Sequence, residues 1–326
     1  DQHGLEARLE WYHRPFRWWD GVVGIQGQRR DLVISQLANA PDPATRFTNT
    51  YELENLAFFL LETITAGPFT LRAGARYETQ TTQDTTFEAF DFLIDRGAES
   101  LSAAGSLTWE RETLGPFDAL SVTATLSSIE RLPTETELFA FYENPAIQRF
   151  LIGNDALDPE QAIGTELGVA ARVGPWRARL NGYHYDYRNY IFLQDRSGPG
   201  NQAEYVAREA TFTGFEAELA WAHALGTDGR RVSLTAMSDY VRGHNETANE
   251  PLPRIPPLRL GSRAELAWDA LNAGLEARYV FEQTRVQPGG GAVEPELETD
   301  AYVELNADAE VTFDLGTGSL SFFARA

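Results

Sequence analysis

The sequence predicts an all-β fold, a transmembrane antiparallel β-barrel, from three observations. Apolar and polar residues alternate along most of the chain, which is the period of a strand with one apolar and one polar face. The alternating runs are longer than the roughly 5–6 residues of a common soluble strand. The connections between them are alternately short and long, which is typical of outer-membrane barrels.

Two runs show the alternation most clearly. Residues 257–268, PLRLGSRAELAW, place three leucines, an alanine and a tryptophan on one face, and two arginines and a glutamate on the other. Residues 299–313, TDAYVELNADAEVTF, repeat the pattern over a longer stretch. A strand that crosses a membrane needs about 9–11 residues, so both runs are long enough to span one.

We predict about fourteen strands of this kind, and we expect residues 1–326 to form part of one β-barrel domain. The predicted strands span residues 3–13, 20–29, 49–64, 69–82, 99–112, 118–129, 161–173, 176–193, 203–223, 230–243, 257–268, 273–286, 299–313 and 318–326.

The predicted connections fall into two sets. Short turns such as AGP, LGPFD and VGP alternate with long loops at 30–48, 83–98, 130–160, 194–202, 244–256 and 287–298. Large aromatic residues lie at or beside the short turns, as in the girdle of a membrane barrel. These residues are Trp18, Trp19, Phe69, Phe117, Trp176, Trp221, Trp268 and Phe313. A soluble β-sandwich also buries aromatic residues, but it does not require this segregation.

The polar faces of the strands carry charges of both signs, which we expect to point into the lumen. On the lipid face each charge would cost about 2–4 kcal/mol near the bilayer midplane. The residues predicted to face the lumen are Arg72, Arg76, Glu166, Arg177, Arg179, Glu216, Glu218, Arg259, Arg263 and Glu304. Both a water-filled pore and a lumen occupied by a folded polar domain tolerate such a surface.

The composition argues against several functions. The net charge is −21 and all 27 basic residues are arginine, so the chain lacks the basic footprint that nucleic-acid binding requires. It contains no cysteine and no nucleophile-elbow or phosphate-cradling motif; we therefore predict that it is not an enzyme. Strand patterns open and close the chain, and no signal peptide precedes them, so we expect an excised segment of a larger protein.

The loop at 130–160 carries a helix signal of its own. Pro133 stops the preceding strand, and Thr134 with Glu137 fits a capping box, in which side chain and main chain satisfy each other at the helix start. We predict a short helix over 135–141. The residues in or beside it that are candidates for a ligand vestibule are Phe139, Tyr142, Asn144 and Arg149. The alternative is that these side chains pack the loop onto its neighbours.

A metal site is a further hypothesis, because zinc takes about four N, O or S ligands in a tetrahedral arrangement. No pair of histidines has a spacing that forces such a site. The candidate ligands are His244, Asp239, Glu143, His3 and His184. For each histidine the competing interpretation is an ordinary polar residue of a loop or interface.

Several motifs occur in a fixed order around this loop. They are SSIERLPTETELFA, then F-x-I-G-N at Phe150, L-x-x-E at Leu157 and T-E-L-G at Thr165, followed by FTGFEAEL, DYVRG and LPRIPPLRLG. This ordered set resembles the barrel of TonB-dependent outer-membrane receptors over essentially the whole chain. The resemblance implies a plugged 22-stranded barrel, a size known for outer-membrane transporters, with about seven strands upstream and one downstream of this chain.

The resemblance also implies partners and a location. The expected partners are the protein's own N-terminal plug domain, a TonB-type energy-coupling protein that acts through the plug, and the lipid and lipopolysaccharide of the outer membrane. The location implied is the outer membrane of a Gram-negative bacterium. The function implied is the energy-coupled uptake of a scarce ligand.

A narrower resemblance, carried by LPRIPPLRLG after DYVRG, is to the zinc-uptake receptors. Many of those carry His-x-Ala-Thr before F-x-I-G-N, whereas this chain has Asn144-Pro145-Ala146-Ile147, and asparagine is a poor zinc ligand. Zinc is therefore expected only as a possible transported substrate, and no resident cofactor is predicted. The alternatives are an iron-siderophore, haem or cobalamin-type receptor, a passive porin-like channel, and an adhesion barrel.

Overall fold

The computed structural model describes residues 2–35, 48–85, 94–196, 201–226, 229–289 and 295–326. Over these residues the chain forms one sheet of seventeen strands. Fourteen strands are long, and each pairs antiparallel with the next long strand along the chain. They are β1 (Gln2–Phe16), β2 (Trp19–Ser35), β3 (Thr48–Ala66), β4 (Phe69–Asp84), β5 (Ile94–Leu114), β6 (Phe117–Arg131), β9 (Glu160–Val173), β10 (Trp176–Arg196), β11 (Gln202–Ala224), β12 (Arg231–Asn245), β14 (Arg259–Trp268), β15 (Leu271–Val280), β16 (Tyr302–Asp314) and β17 (Ser319–Arg325).

The remaining elements are short and lie within connections. They are α1 (Glu135–Phe139), β7 (Phe141–Asn144), β8 (Arg149–Ile152) and β13 (Glu250–Pro251). The predicted all-β fold with about fourteen long strands is confirmed. Two to four residues are too few to show a period, so the sequence pattern does not predict the three short strands. No helix in the described part of the chain has the length and hydropathy to cross a membrane.

One predicted strand, 273–286, is wrong at its end, because β15 stops at Val280. Its partner β14 begins only at Arg259, since Pro256 and Pro257 precede it and proline cannot donate a ladder hydrogen bond. Parts of four predicted long loops, at 36–47, 86–93, 197–200 and 290–294, lie outside the described residues.

Three of the short turns share one construction, a glycine followed by a proline. Gly67, Gly115 and Gly174 have φ of 58°, 56° and 54°, a left-handed backbone that glycine adopts without steric cost. The proline that follows fixes its own φ near −65°. Together the two residues reverse the chain within a minimal turn, which is why this end of the sheet is so compact.

The register assigns two faces to the sheet. Directly opposed pairs such as Arg263 with Glu276 and Arg278 with Glu304 lie on a polar face, and every charge predicted to face the lumen falls on that face. The opposite, outer face carries exposed apolar side chains. Examples are Leu5, Leu9, Trp11, Leu101, Leu126, Leu167, Leu180, Leu234, Leu275 and Leu305.

Buried apolar residues gather at the long-loop end of the sheet rather than along the strands. The first of three clusters contains Tyr51, Leu138, Phe139, Leu157 and Ile191. These residues come from β3, from the connection between β6 and β9, and from β10. The connection between β6 and β9 therefore packs against both β3 and β10, two strands that are far apart in the sheet.

Candidate functional site

Residues 132–158, which we call the mouth segment, connect β6 to β9 at the long-loop end. Thr134 caps α1 in the predicted capping box: Glu137 N–H donates to Thr134 Oγ1 at 3.3 Å, and Thr134 N–H donates to Glu137 Oε2 at 2.8 Å. The helix ends at Phe139, two residues before the predicted end. Ala140 has left the helical conformation (φ −54°, ψ 127°), and β7 begins at the next residue.

One side of the mouth segment lies against the polar face of β2 to β5. Tyr51 Oη donates to Phe139 O at 3.0 Å, and Arg30 Nη2 donates to Glu135 Oε2 at 2.5 Å. Arg96 donates to two main-chain carbonyls near the end of the segment, at 2.6 and 2.9 Å. Gln80 Nε2 of β4 donates to Pro133 O at 2.9 Å, so four successive strands contact the same loop.

The other side of the mouth segment contacts the β10–β11 hairpin. Ile191 packs in the same buried cluster as Tyr51, and β8 pairs in parallel with the start of β11, with Leu151 opposite Ala203. Four strands separate β3 from β10 in the sheet. The sheet therefore curves around the mouth segment, and the polar face that the segment touches is the inner face.

A partly buried ion cluster fixes both ends of the mouth segment. Arg131, the last residue of β6, donates to Glu137 Oε2 and Oε1 at 2.8 and 3.0 Å and also to Glu160, the first residue of β9. Glu160 Oε1 accepts the Ile191 N–H at 2.6 Å. The side chains of Glu137 and Glu160 are only 13% and 8% exposed, so both carboxylates depend on Arg131 for neutralisation.

Gly153 allows two parts of the mouth segment to touch. Gly153 N–H donates to Ala140 O at 2.6 Å, and Asn154 N–H donates to Glu137 O at 2.8 Å. A Cβ at position 153 would lie 2.5 Å from Ala140 N and 2.6 Å from the carbonyl of Leu138. Those atoms belong to the main chain and cannot swing aside, so glycine is required here.

Replacing Gly153 with alanine is expected to destabilise the packed mouth segment by about 1–3 kcal/mol, the usual cost of overpacking. Amide hydrogen exchange across 132–158 measures the effect as faster exchange. The matched control is Gly97→Ala, because no heavy atom lies within 4 Å of a Cβ built there. Equal exchange in the two variants would show that the close contact at Gly153 does not form.

The upper part of the β10–β11 hairpin is packed on both faces. Ile191 faces the mouth segment, whereas Phe192 packs with Leu252 from the connection between β12 and β14. Arg254 of that connection donates to Asp195 Oδ1 at 3.2 Å. Its main-chain N–H donates to a glutamate of the β15–β16 connection at 2.7 Å. The hairpin and three connections therefore form one packed cap over the mouth.

Below the cap, ion pairs run along the inner face. Oppositely charged neighbours on adjacent strands stabilise a sheet. The pairs of this kind that include predicted lumen residues are Arg179 with Glu218, Arg259 with Asp239, Arg263 with Glu276, and Glu304 with Arg278. Two further pairs differ: Arg76 binds Glu78 two residues along β4, and Arg263 reaches across β15 to Asp308 on β16. Glu166 accepts the Tyr185 hydroxyl. Arg72, Arg177 and Glu216 form no ion pair with any residue that the structure describes.

A recess and an aromatic column shape the inner face. The recess, of about 500 Å³, lies between β6 and β14 and is lined by residues that include Glu216 and Asp239. Tyr183, Tyr185 and Tyr187 lie in a column on β10, with neighbouring ring centroids 6.1 and 6.3 Å apart. A Cβ on Gly164 would lie 2.3 Å from the Tyr185 ring, so this ring packs directly over the glycine on β9.

The candidate metal ligands are distributed over different surfaces. Asp239 lies on the inner face and binds the guanidinium of Arg259. His244, five residues along β12, projects to the opposite face by alternation and contacts Asn249 Oδ1 at 3.2 Å. Glu143 is exposed on β7. In the described ranges, no three His, Cys, Asp or Glu side chains are grouped to hold a metal ion.

The two remaining histidine candidates lie on β1 and β10. His3 is exposed and opposite Asp31. His184 Nδ1 lies 2.7 Å from Thr213 Oγ1. Both residues alternate with inner-face residues and so project to the outer face.

The candidate vestibule residues make contacts within the cap. Phe139 is buried, and Tyr142 packs in a neighbouring apolar cluster, where burial raises the pKa of its phenol. Asn144 Oδ1 accepts the main-chain N–H two residues further on, at 3.0 Å. Arg149 joins β8 to the hairpin tip by donating to Asn201 Oδ1 at 2.5 Å. All four side chains help to hold the mouth segment in place.

Sequence reasoning missed the residues that hold the mouth segment down. Tyr51, Arg131 and Glu160 lie at or near strand ends, where alternation gives no indication of a partner that is distant in the sequence. Glu137 was recognised only as a cap. Gly153 had a signal, since it is the glycine of the F-x-I-G-N motif, but the motif alone does not reveal the contact.

These features define the wall of a membrane β-barrel. The strands are long and antiparallel, with compact turns at one end and a packed cap at the other, and the outer face is apolar whereas the inner face is charged. The chain belongs to the TonB dependent receptor-like, beta-barrel family, whose match covers residues 1–325.

Several solved structures share the fold of this chain. The copper transporter OprC has a TM-score of 0.77 and 18% identity, covering 99% of this chain and 50% of that one. The haemophore receptor HasR of Serratia marcescens, solved with HasA and haem, gives 0.65 and 15%, over 99% and 55%. The ferric yersiniabactin uptake receptor FyuA of Yersinia pestis gives 0.62 and 14%, over 99% and 52%. The chain thus spans about half the length of these proteins.

Proposed function

We propose that this chain is the barrel wall of an outer-membrane receptor that takes up a scarce ligand by TonB-dependent, energy-coupled transport in a Gram-negative bacterium. The observation that carries the proposal is the cap. A passive porin needs an open path along its lumen, whereas here the mouth segment lies across the inner face and is held by buried contacts with β3 and β10. Family membership supports the same assignment.

The proposal includes the parts that lie outside this chain. Residues 1–326 form part of one 22-stranded barrel domain, with about seven strands upstream and one downstream. A polar N-terminal plug fills the lumen and meets the charged inner face. A TonB-type protein pulls on the plug from the periplasm, and the apolar outer face contacts lipid and lipopolysaccharide.

For the ligand we propose a metal ion or a metal chelate. This class rests on what the similar structures are described as carrying, namely copper, haem and ferric yersiniabactin. Zinc is the narrower proposal from the sequence, with His244, Asp239, Glu143, His3 and His184 as its candidate ligands. Residues outside this chain would have to complete any such site, because these side chains point to different faces.

Uptake assays test the proposed function. A strain with the intact receptor, a receptor deletion and a deletion of the TonB-type protein are compared for uptake of zinc, copper, a ferric siderophore, haem and cobalamin. We expect uptake of one ligand to be lost in both deletions. Uptake that needs the receptor but not the coupling protein would favour a passive channel. Unchanged uptake of all five, with loss of phage or surface binding, would favour an adhesion barrel.

Metal analysis of the intact receptor, purified in detergent, tests whether zinc is the ligand. If zinc is the ligand, elemental analysis shows stoichiometric zinc, and His244→Ala lowers it. His223→Ala serves as the control, since His223 stacks on Trp221 near the short turns. Absence of bound metal, and of binding at micromolar zinc, would leave a chelated or organic ligand as the substrate class.

A further inference from the structure

We infer that Arg172 and Arg177 form a docking site for a carboxylate side chain of the plug, near the short-turn end of the inner face. This inference rests on the proposed function, because it requires a plug within the barrel.

The two arginines are directly opposed across the β9–β10 pair. Arg179 lies two residues further along β10 than Arg177 and therefore on the same face. Arg172 and Arg177 are both exposed. Like charges directly opposite each other destabilise a sheet. An anion that lies between or above the two guanidinium groups would relieve this repulsion.

The wall itself does not supply that anion. Neither guanidinium has an ion-pair or hydrogen-bond partner in the part of the chain that the structure describes. The nearby carboxylate of Glu218 is paired with Arg179 instead, at 3.3 Å. The inner-face neighbours across the strands are Ala119 opposite Arg172 and Ala220 opposite Arg177. In a chain of net charge −21, two adjacent unpaired arginines among alanines point to a partner from outside the wall.

The position of the pair indicates which partner this is. Arg172 is twelve residues along β9 from Glu160, which anchors the cap. At about 3.3 Å per residue, the arginines lie roughly 40 Å along the strand from the cap. A ligand held at the mouth does not reach them, whereas a domain that fills the lumen does. Guanidinium groups bind carboxylates through two parallel hydrogen bonds, so an aspartate or glutamate of the plug fits the site.

The absence of lysine from this chain allows a direct test on the intact receptor. Arg172→Lys and Arg177→Lys each introduce one amine into the wall while keeping the charge. A carbodiimide then joins that amine to any carboxylate in salt-bridge contact, and mass spectrometry of the digest identifies the linked peptide. We expect linkage to a peptide from the region N-terminal to this chain.

The matched control is Arg111→Lys, because Arg111 lies at a similar height on β5 but alternates onto the outer face, opposite Leu120. Linkage to the plug should be at least tenfold higher at positions 172 and 177 than at 111. Linkage only to wall carboxylates such as Glu112 or Glu218, or equal linkage in all three variants, would overturn the docking site. Uptake measured in the same strains separates the two claims: normal uptake without plug linkage removes the docking site and leaves the proposed function standing.

Discussion

Replacing Tyr51 with alanine is expected to release the mouth segment from the inner face. Tyr51 is fully buried and packs with Leu138, Phe139, Leu157 and Ile191. Truncation of a large buried aromatic side chain usually costs about 3–5 kcal/mol. Because Tyr51 lies on β3 and its neighbours lie on the mouth segment and β10, most of this loss falls on the closed cap.

Trypsin measures the opening of the cap through cleavage after Arg149, which lies within the mouth segment. When opening is fast, cleavage follows the population of the open form, so a loss of about 3 kcal/mol raises the rate of cleavage at least 100-fold.

Two variants serve as controls. Tyr51→Phe removes the hydroxyl that donates to Phe139 O and should give a smaller rise in the rate, in keeping with about 1–2 kcal/mol. Tyr12→Ala, at an exposed tyrosine, should leave the rate unchanged. Equal rates for Tyr51→Ala and wild type would refute the packing of the segment against β3.

Replacing Arg131 with alanine is the second change with a large expected effect. It leaves the carboxylates of Glu137 and Glu160 without their cation, although both are largely buried. Breaking a fully buried ion pair costs about 3–5 kcal/mol. The Arg131 side chain is 40% exposed, so solvent screening lowers the expected loss to about 2–3 kcal/mol, or roughly 30- to 150-fold in the open population.

The control for Arg131 is Arg29→Ala. Arg29 also has several carboxylate neighbours, with Glu52 and Glu54 at 3.1 and 3.0 Å, but it is 52% exposed and these partners are 35% and 60% exposed. Exposed ion pairs contribute about 0–1 kcal/mol. Cleavage after Arg149 should therefore rise strongly in Arg131→Ala and little in Arg29→Ala. A similar rise in both would mean that the cluster at Arg131 is no more important than a surface pair.

The long strands were predictable because their signal is local and repeated. Lipid on one side and a polar interior on the other impose a period of two over ten or more residues, and the register then follows from the short turns. The capping box at Thr134 and Glu137 was predictable for the same reason, since its partners are three residues apart.

The cap could not be predicted in this way. Its contacts join Tyr51 to Phe139, Arg30 to Glu135 and Arg131 to Glu160, pairs that lie 88, 105 and 29 residues apart. Local pattern does not specify such pairs. The sequence allowed Phe139, Tyr142, Asn144 and Arg149 either to line a vestibule or to pack the loop, and their observed contacts lie within the cap. The proposed zinc ligands rested on residue type alone, and alternation places Asp239 and His244 on opposite faces.

The most direct test of the account is amide hydrogen exchange on the intact receptor in outer-membrane vesicles. The closed cap predicts that the amides of Gly153, Asn154 and Ile191, each of which donates a hydrogen bond at the cap, exchange at least about 100-fold more slowly than an unstructured amide. Their protection should then approach that of the wall strands. Exchange as fast as that of the exposed turn at Gly174 would mean that the mouth segment does not lie packed on the inner face.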